Sequence, residues 1–294
     1  MIKINISAVT DAGRERTNNE DAIAICPDLG TCNWGSLKTN KYIELGEFGA
    51  VTIVADGMGG ANAGEIASSI VIKTITDYFK KKDLKNIISE EKSVYSFLKF
   101  TIDKANDAIM NHVVTDPDSI GLGTTIVISW IIQEMVYVAW CGDSRCYCFN
   151  PMKCKLTLLT KDHSYVQELI DKGEITANEA IQHPDNNIIT KCLGDVDAIC
   201  VPDFIKYKMT PGEILLICSD GLCGYCNDSD IEKVLFNNFE YLDVCCNKLL
   251  QLALDSGGYD NITISLMATI PGNLNSPIVS IPIKIKRFLQ YIGK

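Results

Sequence analysis

The sequence is poor in histidine and in basic residues, and each shortage removes a class of function. Three histidines occur among the 294 residues, and His112, His163 and His183 lack the HExxH spacing of a helical zinc site. Lysine and arginine number 27 against 37 aspartates and glutamates, which gives a formal net charge of −10. Affinity for a nucleic-acid backbone comes from clustered cations, so we do not expect a nucleic-acid partner.

The N-terminus also lacks the pattern of a secretory signal. Its first residues do not combine a charged region with a long apolar run. With 47% hydrophobic and 22% charged residues and a mean hydropathy of +0.09, the composition is that of an ordinary globular protein. We expect a soluble chain without a transmembrane segment, and the predicted location is the cytoplasm.

Thirteen cysteines are present, but they do not form a metal-binding or disulfide pattern. Cys223 and Cys226 make one CxxC, and no second pair follows at zinc-finger spacing. Other thiols, such as Cys141 and Cys218, lie inside apolar strand-like stretches, where cysteine behaves as a small buried hydrophobe. Core packing is the expected role of these side chains.

Three familiar phosphate-binding motifs are missing as well. The glycines after Asp56 are not followed by the Gly-Lys-Ser/Thr of a P-loop, and Asn62 interrupts a dinucleotide-binding GxGxxG. The stretch from Cys141 to Arg145 has the wrong spacing for a cysteine-phosphatase loop. Water is therefore the simplest remaining nucleophile for attack on a phosphate. Gly57 is interpreted as a residue whose missing side chain lets its backbone carbonyl approach a metal ion.

Apolar patterns predict an α+β protein. Residues 48–55 form a strand candidate that leads into a helix, and residues 93–114 have helical periodicity. The β-rich segments 124–131, 135–141 and 145–149 predict an antiparallel meander. Thr176 and Glu179 match a helix capping box. Strands grouped between helices suit α+β layers better than a doubly wound parallel sheet.

Three aspartates stand where a predicted apolar strand meets a turn. Asp56 and Asp220 come directly after such strands, and Asp260 comes directly before one; Glu20 and Asp21 form a further acidic pair. A carboxylate beside a buried strand is costly unless a partner such as a metal ion compensates it. Ligand sets made only of oxygen favour Mg²⁺ or Mn²⁺ over zinc.

A phosphate substrate also needs a cation from the protein. Arg16 lies just upstream of the acidic pair, and a guanidinium can grip two phosphate oxygens. Arg14 is interpreted as a solvated turn residue. Arg145 is either a second phosphate ligand or the partner of a nearby carboxylate. Together these residues predict a metal-dependent phosphate-ester hydrolase.

Several of these stretches, taken in order, resemble the motifs of a known family. The stretches are residues 11–21, 56–65, 123–125, 142–145, 219–222 and 260–261. They are similar to motifs of the PPM (PP2C-type) protein serine/threonine phosphatases, and the likeness is closest to the compact bacterial members. The resemblance spans about residues 4–269. It implies a four-layer αββα sandwich, with two central antiparallel β-sheets flanked by helix pairs and a metal-binding cleft at one end.

The resemblance also implies roles for individual residues. The implied ligands of two core Mn²⁺ or Mg²⁺ ions and a third ion are Asp56, Gly57, Asp220, Asp260, Glu20 and Asp143. Asp56 would bridge the two core ions, and Glu20 would reach one of them through water. Asp143 would hold the third ion together with Asp220.

Other positions are implied to support substrate binding. Arg16 would bind the substrate phosphate, and Asp21 and Asn261 would support the metal ligands. Residues 164–195 would form a mobile flap that selects substrates. Met58 stands where eukaryotic members carry a histidine that is a proposed general acid, so the group that protonates the leaving oxygen is unassigned.

The predicted function is hydrolysis of phosphoserine and phosphothreonine in proteins by direct attack of a metal-bridging water, in opposition to a serine/threonine kinase. Residues 1–269 would form the catalytic domain. Residues 270–294 form an appended tail with four basic side chains and no acidic one, which either docks on a partner or membrane surface or packs back on the domain. Two alternatives stay open: a pseudophosphatase that binds phosphoproteins in signalling, and a phosphatase for small phosphate esters.

Overall fold

The computed structural model describes residues 1–39, 41–59, 63–116, 119–195 and 200–272. The strands are β1 (Ile2–Asp11), β2 (Ala22–Cys26), β3 (Ile43–Glu44), β4 (Ala50–Ala55), β5 (Gly57–Met58), β6 (Gly123–Thr124), β7 (Ile126–Ile132), β8 (Met135–Cys141), β9 (Arg145–Asn150), β10 (Lys155–Leu158), β11 (Asp203–Lys208), β12 (Ile214–Cys218) and β13 (Ile262–Pro271). The helices are α1 (Ala63–Lys81), α2 (Leu84–Ile88), α3 (Glu91–Thr115), α4 (Tyr165–Asp171), α5 (Ala177–Ile181), α6 (Asp220–Cys223), α7 (Asp228–Asn238) and α8 (Leu242–Asp255).

The strands form two large antiparallel sheets and one short pair. One sheet has six strands in the order β10-β9-β12-β13-β1-β3, and the other has five in the order β11-β8-β7-β4-β2. The third unit is the two-stranded pair of β5 with β6. The predicted α+β class with two antiparallel sheets is therefore confirmed.

The sheets pack face to face and are covered by helices on their outer faces. Apolar side chains from both sheets, including Val127 and Ile217, make the central layer of the core. Helices α1 and α3 cover the five-stranded sheet, with Val71 and Phe97 buried between them and the strands. Helices α7 and α8 cover the six-stranded sheet in the same way. This is the predicted αββα sandwich, and burying apolar faces on both sides of each sheet is its driving force.

The predicted meander is only partly correct. Strands β7 and β8 pair antiparallel as expected, with Ile126 opposite Cys141, but β9 leaves for the other sheet and pairs with β12. Gly142 begins the crossover at φ 122°, and a Cβ there would lie 2.5 Å from the Cβ of Thr125. Alternating strand patterns report local pairing and carry no information about a change of sheet, which is why the sequence predicted one continuous meander.

Several local predictions are confirmed. The helix predicted for residues 93–114 is α3, and Thr176 and Glu179 form the predicted capping box at the start of α5. None of the thirteen cysteines forms a disulfide, and Cys141 and Cys218 are buried in the core.

Within the described ranges, no helix is long and apolar enough to cross a membrane.

The last strand extends beyond the predicted start of the tail. Pro271 of β13 is opposite Ile2 of β1, so residues 270 and 271 belong to the six-stranded sheet. The rest of the predicted tail, residues 273–294, lies outside the described residues.

Candidate active site

The ends of strands from both sheets bring the predicted acidic residues together. In the five-stranded sheet, Ala22 of β2 is opposite Ala55 of β4. Asp21 comes directly before β2 and Asp56 directly after β4. Antiparallel pairing therefore places these two residues side by side at one end of the strands.

The six-stranded sheet contributes the other carboxylates at the same end of the sandwich. Cys218 of β12 is opposite Ile264 of β13. Asp220, after β12, and Asp260, before β13, therefore lie close together at the same end of the strands. Asp143 lies in the crossover from β8 to β9, which connects this end of one sheet with this end of the other. Sequence analysis named all five acidic residues, and the topology explains why they converge.

Two threonines of the 123–125 motif, for which the sequence predicted no role, hold the backbone of Asp56. Its carbonyl oxygen accepts hydrogen bonds from Thr124 Oγ1 and Thr125 N, each at 2.8 Å. Its N–H donates to Thr125 Oγ1 at 3.2 Å, and that hydroxyl is also bonded to Ser144 Oγ at 2.8 Å. The position of Asp56 is therefore fixed by the short strand β6. The paired threonines after Gly123 were the only sequence signal, and their role depends on contacts far along the chain.

A glycine is required at position 57 because three backbone segments approach one another closely there. A Cβ on Gly57 would lie 2.2 Å from the carbonyl oxygen of Gly64 and 2.6 Å from that of Glu20. A Cβ on Gly64 would lie 2.7 Å from Glu20 Oε2. The first turn of α1 therefore packs directly against β5 and the loop before β2, and a side chain would separate them.

Asp21 and Asn261 form the buried base of the site. Ser219 Oγ donates to Asp21 Oδ2 at 2.7 Å. Asn261 Oδ1 accepts from the backbone N–H of Glu20 at 2.7 Å, and Asn261 Nδ2 donates to the carbonyl oxygens of Ala12 and Asn18 at 3.0 and 2.8 Å. Asn261 thus ties the start of β13 to the loop that carries Arg16 and Glu20.

Crowding and burial disfavour ionisation of the carboxyl groups. Burial raises the pKa of Asp56 well above its usual range, and the Asp21 and Asp220 carboxylates raise it further. Burial, followed by the charge of Asp220, raises the pKa of Asp143 to about 8. The pKa values of Asp21 and Asp220 are each raised to about 6, again mainly by burial. A bound cation would reverse these shifts because it favours the ionised form.

The chemistry of the cluster fits a hard divalent cation. Among the described residues, Asp21 Oδ1 and Asp143 Oδ1 are buried oxygens with no hydrogen-bond partner, and such atoms normally have one. All the side-chain donors are carboxylate oxygens, as Mg²⁺ and Mn²⁺ prefer. In the part of the chain that is described, no three Asp, Glu, His or Cys side chains converge as a ready ligand set.

The two arginines of the predicted phosphate site have different partners. Arg16 Nη2 contacts Asp260 Oδ2 at 2.8 Å, and the Arg16 side chain is 52% exposed. Exposed ion pairs contribute roughly 0–1 kcal/mol, so little free energy holds the Arg16 guanidinium to Asp260. Arg145 forms a bidentate pair with Asp162, with Nε–Oδ1 at 2.8 Å and Nη2–Oδ2 at 2.6 Å. Of the two interpretations of Arg145, carboxylate pairing is therefore the one observed.

His163 connects the predicted flap to the sandwich. Its side chain is buried, Gly142 N donates to its Nδ1 at 3.1 Å, and its Nε2 lies 3.1 Å from Asp203 Oδ2. Because Nδ1 is an acceptor here, Nε2 carries the proton donated to Asp203. Burial lowers the pKa of His163, while the hydrogen bond to Asp203 opposes this change. Lys191, near the other end of the flap, contacts Asp203 Oδ1 at 3.0 Å.

The segment predicted as a flap contains α4 and α5 and returns to the site. Thr190 N donates to the carbonyl oxygen of His163 at 2.8 Å, which joins its two ends. Leu193 and Thr124 exchange two backbone hydrogen bonds of 2.9 Å each. The C-terminal end of this segment therefore pairs with β6, the strand whose Thr124 holds Asp56.

Comparison with known proteins agrees with this architecture. Residues 42–254 match the sequence profile of the family described as protein phosphatase 2C. The chain belongs to this family.

Relatives include bacterial enzymes of similar length. The serine/threonine phosphatase stp of Listeria monocytogenes is 33% identical over 261 residues, which cover 88% of this chain and 93% of that protein. The protein phosphatase PhpP of Streptococcus pneumoniae is 31% identical over 90% of this chain and 97% of its own.

Solved structures show the same fold. The S. agalactiae serine/threonine phosphatase superposes with a TM-score of 0.76 at 32% identity, covering 91% of this chain and 100% of that one. The catalytic domain of the serine/threonine protein phosphatase PstP, solved with two manganese ions, gives a TM-score of 0.73 at 27% identity and covers 92% and 100% of the two chains.

Proposed function

We propose that this protein phosphatase uses divalent metal ions to hydrolyse phosphoserine and phosphothreonine in proteins. The observation that carries the proposal is the group of crowded carboxylates at one end of the sandwich, with two buried oxygens that have no partner among the described residues. The names of the relatives, serine/threonine phosphatase and protein phosphatase, support the substrate class.

The proposed ligands of two core Mn²⁺ or Mg²⁺ ions are Asp56, the carbonyl of Gly57, Asp220, Asp260 and Glu20. A third ion would use Asp143 beside Asp220. The PstP catalytic domain, with its two manganese ions, supports the use of divalent cations. When bound, the ions would supply an activated water at neutral pH and positive charge for the phosphoryl oxygens.

The protein's own residues position the substrate and the ligands. Arg16 exchanges its exposed contact with Asp260 for two oxygens of the substrate phosphate, and its guanidinium is charged with either partner. Asp21 and Asn261 hold the loop that carries Glu20. These contacts support a position of the substrate phosphate beside the carboxylates.

The proposed domain organisation follows from the same function. Residues 1–269 would act as the catalytic domain, and residues 164–195 as a flap that selects the substrate beside the cleft. The basic tail, residues 270–294, would dock a partner. A serine/threonine kinase that phosphorylates the same proteins would be the functional counterpart.

Phosphate release from a phosphothreonine peptide with Mn²⁺, with Mg²⁺ and with EDTA tests the proposal. We expect turnover that depends on the metal and is abolished in Asp220→Asn. The matched control is Asp243→Asn, which changes an exposed aspartate at the start of α8 and should leave turnover unchanged.

Three results would contradict the proposal, and each indicates a different alternative. Turnover in EDTA would remove the metal requirement. Phosphopeptide binding and metal binding without hydrolysis would favour a pseudophosphatase. A much higher kcat/KM for small phosphate esters than for phosphopeptides would favour a small-molecule phosphatase.

A further inference from the structure

Two exposed tyrosines lie side by side next to the proposed phosphate site. Tyr225 is 44% exposed and Tyr259 is 54% exposed. Their ring centroids are 5.5 Å apart, and the ring planes are inclined by 46°. Tyrosine combines a large apolar surface with low conformational entropy, and for this reason it is common at binding surfaces.

The pair borders the carboxylate cluster. Tyr259 is the residue directly before Asp260, which is in contact with Arg16. Tyr225 follows α6, the helix that begins at Asp220. Burial raises the pKa of the Tyr225 phenol, and the charges of Asp220 and Asp260 add to the increase, consistent with a ring close to both carboxylates.

The ring of Tyr259 packs against the turn before it. Gly257 has φ 123°, and a Cβ on it would lie 2.1 Å from Tyr259 Cε2. The ring therefore occupies the space that a side chain at position 257 would take. Contact with the backbone on one side restricts the ring, and a restricted side chain loses less entropy when a ligand binds.

The two arginines beside the tyrosine pair are each in contact with a carboxylate. Arg16 contacts Asp260, and Arg14 contacts Asp255 at 3.7 Å. Arg14 also borders the glycine turn, because its backbone N–H donates to the carbonyl oxygen of Gly258 at 2.7 Å. The tyrosine rings therefore add apolar surface to a border that is otherwise made of these ion pairs and the carboxylate cluster.

We propose that Tyr225 and Tyr259 form a subsite for an apolar side chain of the substrate polypeptide, next to the phosphorylated residue. This inference rests on the proposed function. Successive Cα atoms are about 3.8 Å apart, so a phosphate held by Arg16 leaves residues one or two positions away within reach of the rings. The subsite would determine specificity and take no part in the chemistry.

A set of phosphothreonine peptides tests the subsite. Each peptide carries one leucine, at one of the two positions before or after the phosphothreonine, and alanine at the other three. We expect the wild-type protein to favour at least one leucine peptide over the all-alanine peptide by about tenfold in kcat/KM, mainly through KM. In Tyr225→Ala and in Tyr259→Ala this ratio should fall below about twofold.

Three controls separate a subsite from a structural role. Tyr225→Phe keeps the ring and should keep the preference for leucine. Tyr241→Ala removes a tyrosine that is 65% exposed at the start of α8 and should not change the preference. Tyr225→Ala should leave the thermal unfolding midpoint within about 2 °C of the wild type, because Tyr225 is 44% exposed. If Tyr259→Ala does not fold, Tyr225→Ala decides the test.

The outcomes distinguish the two proposals. Hydrolysis of all peptides without a leucine preference, or a preference that persists in Tyr225→Ala, would overturn the subsite and leave the proposed function intact. A wild-type protein that hydrolyses none of the peptides with Mn²⁺ would overturn the proposed function and the subsite with it.

Discussion

The carboxylate cluster and the neighbouring Arg145–Asp162 pair lie at the same end of the sandwich but differ in how their charges are compensated. Asp162 accepts two short hydrogen bonds from the Arg145 guanidinium. The charge of Asp220, by contrast, helps to raise the pKa of Asp143, and Asp143 Oδ1 has no hydrogen-bond partner among the described residues.

This difference separates a structural site from a functional one. The compensated Arg145–Asp162 pair links β9 to the segment before the flap, and it stabilises the fold without a ligand. An uncompensated cluster costs stability in the free protein, and a cation that binds it recovers this energy. Substitutions in the two groups should therefore have opposite effects.

The largest expected effect is on catalysis. Asp220→Asn should reduce metal-dependent kcat by about 10³-fold or more because it removes a ligand charge. The same change should leave the free energy of unfolding in EDTA unchanged or higher, since one crowded carboxylate becomes neutral. Urea unfolding in EDTA and steady-state kinetics with Mn²⁺ measure the two quantities. A clear loss of stability of Asp220→Asn in EDTA would contradict the view that the carboxylate cluster destabilises the metal-free protein.

Arg16→Lys should reduce kcat/KM by about 30-fold, chiefly through KM, because lysine keeps the charge but cannot hold two phosphate oxygens. Arg16 is exposed, so the free energy of unfolding should change by less than about 0.5 kcal/mol. Kinetics with a phosphothreonine peptide measure the effect, and Arg14→Lys is the matched control. Equal losses in the two variants would refute the assignment of Arg16.

Asp162→Asn should act mainly on stability. It removes the closest charge partner of the Arg145 guanidinium and keeps the longer contact with Asp228 Oδ1 at 4.0 Å. The free energy of unfolding should fall by about 2 kcal/mol, below the ~3–5 kcal/mol of a fully buried pair, because Arg145 remains 24% exposed. Activity per folded molecule should fall less than about tenfold. If the variant were as stable as the wild type in urea unfolding, Arg145–Asp162 would not be the structural pair.

The stability of the metal-free protein should depend on pH through the cluster. The folded pKa of Asp143 is raised to about 8, so its protonated form is favoured by folding. Its contribution to stability is present below the unfolded pKa of about 3.9 and is lost as pH rises toward 8. In EDTA, the wild type should lose stability relative to Asp143→Asn as pH increases from 5 to 8.5, with a slope of at most about 1.4 kcal/mol per pH unit. An equal dependence of stability on pH in the wild type and in Asp143→Asn would contradict this prediction.

The strand-end aspartates could be predicted because their signal is local. Asp56 and Asp220 directly follow apolar strands, so their burial and rigidity can be inferred from adjacent residues. Gly57 was also identified, although the contact with Gly64 depends on the packing of α1. The αββα arrangement came from the resemblance to a family and not from the strand patterns, which misplaced β9.

Contacts between distant segments could not be predicted. Arg145 pairs with Asp162, 17 residues along the chain, so its two interpretations were equivalent in the sequence. The contact between Tyr225 and Tyr259 joins residues on either side of α7 and α8. Such pairs are set by tertiary packing, for which hydrophobic periodicity holds no information.

Calorimetric titration of the metal-free protein with Mn²⁺ at pH 7.5 tests the central claim most directly. We predict saturable binding to the wild type and to Asp162→Asn, and binding that is lost or at least about 30-fold weaker in Asp56→Asn. The thermal unfolding midpoint should rise with Mn²⁺ in the first two proteins only. Absence of binding to the wild type, or equal binding to Asp56→Asn, would contradict the assignment of the carboxylate cluster as the metal site.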